Sequence, residues 1–155
     1  MNKAEVLEHL RAAKAAHINW VQRAKLLVQG FEVSEDAIPV NSTQCRFGQW
    51  FYSDGQKLNA CRNNPQEAMA EIEQLHFKLH DIYLNIFKIY YETEKKGFFS
   101  KLLFGTKKKV TEQEKNAAKM FFEEMEKVSQ KLVEELNRME RRIVAVTDED
   151  LAALV

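Results

Sequence analysis

Three long stretches of this chain space their apolar side chains three and four residues apart, and no strand-like alternation competes with that pattern. Val6, Leu10, Ala13, His17, Trp20, Val21, Ala24, Leu27 and Val28 share one face of a first helix expected to end near Gly30. Ile72, Leu75, His76, Leu79, His80, Tyr83, Ile86, Phe87 and Tyr90 form the stripe of a second long helix, opened by the start signal Asn63-Asn64-Pro65. Phe121, Met125, Val128, Leu132, Leu136, Met139, Ile143 and Val146 make a near-heptad seam on a third, which starts at the capping box Thr111-Glu112-Gln113-Glu114. An extra step of four between Leu132 and Leu136 favours packing within a bundle over a long coiled coil.

Between the first two helices, residues 31 to 41 contain Pro39 and no sustained period, which reads as a connecting loop. Ser42 or Thr43 is placed to cap a short helix with Cys45 in its first turn. Phe47 and Trp50, three apart, insert together into the core, and Gly48 lets a neighbouring backbone come close. Asp54-Gly55 marks an end or a bend. The expected fold is all-α: a four-helix bundle of three long helices and one short Cys-bearing helix. A single domain covers residues 1–155, with a Lys-flanked insert at about 96–110. A chain of 155 residues buries roughly two-thirds of its unfolded surface and needs no stapling to fold.

His17, His76 and His80 interrupt the apolar faces, and Cys45 sits on the short helix. His76 and His80 are one helical turn apart, so both imidazoles reach a single ion from one face. Left without partners, buried polar groups cost about 1–3 kcal/mol each. Three imidazoles and one thiolate suit zinc, one per chain, which prefers four nitrogen and sulfur ligands. The competing reading has core histidines satisfied by hydrogen bonds and Cys45 as a small buried hydrophobe. At a helix start, the dipole favours the Cys45 thiolate. A Cys45–Cys61 disulfide is a further competitor, although two cysteines in 155 residues argue against a disulfide framework and Cys61 reads as a packing residue. His9 lies two turns before His17, about 12 Å along the axis, and is left outside the ligand set.

Other chemistries fit less well. A di-iron bundle needs paired Glu-x-x-His motifs, and Glu73 with His76 supplies one copy without a second. His76-Phe77-Lys78-Leu79-His80 lacks the glutamate of a His-Glu-x-x-His hydrolase. A closed four-ligand site leaves no position for substrate, so the chain is not expected to be an enzyme. The 23 basic and 23 acidic residues cancel, which gives no global field for nucleic acid. The N-terminus enters a helical pattern without an uninterrupted hydrophobic segment, so neither signal peptide nor membrane span is expected and the cytoplasm is the default location. Phe98, Phe99, Leu102 and Leu103 form an apolar patch ringed by Lys95, Lys96, Lys101, Lys107, Lys108 and Lys109. Such a segment suits peripheral contact with the inner membrane or a partner; alternatively it caps the open end of the bundle. The second functional class is therefore an adaptor in which zinc is purely structural.

The order His17 and Trp20, then Cys45-Arg46-Phe47-Gly48-Gln49-Trp50, then His76-Phe77-Lys78-Leu79-His80 resembles the chemoreceptor zinc-binding domain, a bacterial family with the signature His, Cys-x-Phe-Gly-x-Trp, His-x-x-x-His. The likeness spans most of the first 95 residues, and the cysteine motif is its specific part. It implies a helical bundle holding one zinc through three histidines and one cysteine, often as a homodimer. It also implies a sensory role with Cys45 as the redox-sensing residue. Such domains accompany chemoreceptors and enzymes of cyclic-di-GMP metabolism, and respond to zinc or to oxidants such as hypochlorous acid. No receptor signalling hairpin or cyclase domain follows in this chain, which is expected to be a stand-alone member or an excised module.

Overall fold

A computed structural model describes residues 1–34, 40–63, 66–91 and 110–154. These form α1 (Lys3–Val28), α2 (Arg46–Phe51), a 3-10 segment (Asp54–Ala60), α3 (Gln66–Tyr91), α4 (Glu112–Ala145) and α5 (Asp148–Ala152), with no strand among the described residues. The architecture is an all-α bundle, as the spacing predicts. Asn64 and Pro65 of the expected start signal, Pro39, and the Lys-flanked insert with Phe98, Phe99, Leu102 and Leu103 lie outside the described residues.

Local chemistry accounts for where the helices begin and end. Asn2 and Glu5 form a reciprocal capping box at the start of α1. At its end Gly30 takes φ +94, a left-handed conformation that favours glycine, while Gly30 N–H donates to Leu27 and Phe31 N–H to Leu26. The same reciprocal box, Thr111 with Glu114, opens α4. A third cap, the Thr147 hydroxyl, accepts from Asp150 N–H and starts α5, whose fully buried Leu151 ties the tail to the core.

At 34 residues, α4 is the longest element, and it packs along both α1 and α3. Its seam differs from the expected one in two places. Phe122 is buried where Phe121 was expected, and Ser129 is buried beside Val128. With those two, Phe122, Met125, Ser129, Leu132, Leu136, Met139, Ile143 and Val146 alternate steps of three and four without a break. The interruption in the sequence pattern arises because the polar Ser129 holds a core position next to the more apolar Val128. Polar contacts close the α1 and α4 edge: Arg11 and Lys14 both reach Glu140, and Lys14 also donates to Asn137. Those hydrogen bonds hold the Glu140 carboxyl below the usual carboxylate range. Between α1 and α3, aromatic rings form the bridge, with Trp20 5.1 Å from Tyr83 and 4.3 Å from His80. No helix among the described residues is long and apolar enough to cross a membrane.

Candidate metal centre

The apolar stripe of α1 carries His17 inward, and the stripe of α3 does the same for His76 and His80; all three rings are buried. Cys45 joins them from the N-cap of α2. One ligand atom from each of His17, Cys45, His76 and His80 lies within 4.8 Å of the others. Ligand atoms in tetrahedral nitrogen and sulfur sites stand roughly 3.3–3.8 Å apart, so small side-chain shifts suffice. The rings of His17 and His76, and of His76 and His80, meet at 83° and 80°, which brings edges rather than faces together.

Hydrogen bonds orient these rings. Nδ1 of His17 is 2.7 Å from the Ala13 carbonyl, one turn back on α1. A carbonyl only accepts, so Nδ1 carries the proton and Nε2 is left as the electron-pair donor. His80 repeats this arrangement with the Val40 carbonyl at 3.0 Å, so the loop before α2 also sets a ring on α3. Asp81, the carboxylate next to His80 in the chain, is exposed. Nε2 of His76 lies 3.2 Å from Cys45 Sγ, while its Nδ1 is buried without a hydrogen-bond partner.

Cys45 is the residue that caps α2, in the place expected of Ser42 or Thr43. Its Sγ accepts from the Gly48 N–H at 3.2 Å, and its thiol donates to the Ser42 carbonyl at the same distance. Thr43 is occupied elsewhere, donating from backbone and hydroxyl to Asn41 Oδ1. Gly48 packs directly against the Ser42 backbone: a Cβ there would stand 2.9 Å from the Ser42 carbonyl carbon and strike its oxygen. The close approach anticipated at this glycine is therefore what brings the cysteine into place.

Burial governs the protonation of the cluster. It lowers the His17 pKa against the opposing Ala13 bond. Burial first, and then the neighbouring His17 and His80, take His76 down to about 2. Burial also pushes the Cys45 thiol up, and the N–H groups of Gly48 and Phe47 only partly offset it. The helix-start stabilisation of the thiolate is thus present as a contact but outweighed by desolvation. Neutral imidazoles are the form that binds a metal, and a cation would replace the missing charge partner of the thiolate. The orphaned polar atom of His76 and this donor set fit a metal ion of zinc's preferences.

Residues 17–87 match the family model of the chemoreceptor zinc-binding domain. This segment belongs to that family. No curated protein and no solved structure matches the chain. The zinc-binding domain match begins at His17 itself and ends within α3, so it contains all four ligand candidates, whereas α4 lies beyond it.

The remaining candidates sort clearly around this domain. Both cysteines are free thiols, Cys45 half-buried and Cys61 buried. Glu73 does not join the cluster; it lines an open surface cleft of about 590 Å³ with Thr43, Tyr52, Gln74, Phe77, Lys78 and Asp81. His9 is outside the ligand set, as expected, but its ring stacks on Trp50 at 4.7 Å and 12°. Spacing does not reveal that contact, because His9 lies on the flank of the α1 stripe and its partner is on another element.

Proposed function

We propose that this chain is a non-enzymatic bacterial sensory module that holds one zinc ion through His17, Cys45, His76 and His80 and uses Cys45 as its switch. The convergence of three imidazoles on a cysteine that caps a six-residue helix carries this reading. When bound, zinc acts as a Lewis acid that keeps the thiolate and the three imidazoles together.

Of the four candidates, Cys45 alone is half-buried rather than buried, which makes it the ligand residue nearest to solvent-borne reagents. Two-electron oxidation of its thiolate by hypochlorous acid, which is reduced to chloride, gives the sulfenic acid and replaces a strong sulfur donor with a weak one. The short helix then loses its tie to α1 and α3 at its N-terminal end, while Phe47, Trp50 and Phe51 remain as apolar anchors. A shift of α2 alters the surface formed by the 40–53 segment, the change that a partner reads. A second copy of the chain, and a cytoplasmic chemoreceptor or cyclic-di-GMP signalling protein, are the partners proposed for it.

The test is titration of the zinc-loaded protein with hypochlorous acid while a chromogenic chelator reports released metal. Release in step with Cys45 oxidation, and a muted response in Cys45→Ser, is the expected result. Retention of zinc after complete oxidation of Cys45 contradicts the switch.

A further inference from the structure

We infer that His9 is a positioning residue for the metal centre: its imidazole, stacked on Trp50, fixes α2 so that Cys45 stands at the three histidines. The inference rests on the zinc reading of that centre and deepens it. A helix of six residues cannot hold its own position, since few of its backbone groups are paired internally. Side-chain anchors must do so, and α1 supplies two of them eight residues apart. His17 meets Phe47 edge-on at 5.7 Å and 89°, at the cluster itself. His9 meets Trp50 face-on at 4.7 Å and 12°, away from the cluster and toward the C-terminal end of α2.

The two contacts therefore hold the short helix at both ends against one rigid rod. Trp50 is packed on its inner side: it is 8% exposed and its ring lies 5.9 Å from that of Phe47. A flat ring at position 9 adds the contact to α1, and the stack is retained only while α2 lies on α1. Removal of the ring makes the orientation of α2 less determined and raises the fraction of molecules in which Cys45 stands away from the histidines. Ordinary packing of His9 on Trp50 would instead change overall stability and leave metal binding as it is.

Chelator competition measures zinc affinity in the parent, His9→Ala, His9→Phe and Cys45→Ser, and mass spectrometry of the Cys45 peptide follows alkylation of the zinc-loaded protein. Alanine is the strongest helix former and His9 is only partly buried, so His9→Ala is expected to fold, as a circular dichroism melt of the metal-free protein verifies. The predicted outcome is zinc affinity lowered roughly 3- to 10-fold in His9→Ala, the equivalent of one aromatic pair, with faster alkylation of Cys45. His9→Phe, which keeps a flat ring, restores both toward the parent. Parental affinity and alkylation rate in His9→Ala overturn the inference, as does a His9→Phe variant as impaired as His9→Ala. A parent protein that takes up no zinc overturns the metal reading and this inference together; a parent that binds zinc through Cys45 but is indifferent to position 9 overturns this inference alone.

Discussion

Sγ of Cys45 lies 3.2 Å from Nε2 of His76 across 31 positions of sequence. That contact exists because the α2 backbone approaches the Ser42 backbone at Gly48, and because Cys45 accepts the Gly48 N–H as the cap of its helix. The metal centre therefore depends on a glycine that donates nothing to the metal.

Gly48→Ala opposes two effects. Alanine gains about 1 kcal/mol of helix propensity, whereas overpacking costs about 1–3 kcal/mol. The atoms struck are backbone, which yields less readily than a side chain, so the clash is expected to win. Urea unfolding should show a lower midpoint for Gly48→Ala, and chelator competition a weaker zinc affinity. A raised midpoint with parental affinity contradicts the close-approach account.

Acid should destabilise the metal-free protein through its buried histidines. Burial lowers the pKa of both His17 and His76, the latter to about 2, so the unfolded chain binds protons that the folded chain refuses. The stability contribution is complete above the unfolded value near 6.5 and is lost as pH falls below it, by up to about 1.4 kcal/mol per pH unit for each histidine. Denaturant melts of chelator-stripped protein between pH 7.5 and about 5 are expected to show this slope, with a shallower one in His76→Phe. A flat profile contradicts burial of neutral imidazoles.

The α4 register separates two adjacent phenylalanines. Phe122 is 8% exposed on the seam, while Phe121 is partly buried beside it. Phe122→Ala is predicted to cost about 3–5 kcal/mol, and Phe121→Ala about 1 kcal/mol. Equal losses in urea unfolding, or a larger loss at Phe121, contradict the unbroken heptad.

The three long helices and all four ligand candidates were legible in the sequence for a common reason. His17, His76 and His80 are polar residues on otherwise apolar faces, so the periodicity that defines each helix also points those rings inward. Cys45 was legible through its motif, but its capping role was not, because Ser42 and Thr43 are the more usual caps and lie just before it. The core position of Ser129 is not legible in the sequence, because the neighbouring valine matches the apolar pattern better than a serine does. The His9–Trp50 stack joins two elements through a residue at the edge of a stripe, and one-dimensional spacing carries no signal for such a pair.

Elemental analysis with chelator competition on the parent and Cys45→Ser decides whether Cys45 completes a four-ligand zinc site. One zinc per chain, bound tightly in the parent and markedly more weakly in Cys45→Ser, is the predicted result. Metal-free parent protein that takes up no zinc, or parental affinity in Cys45→Ser, contradicts it.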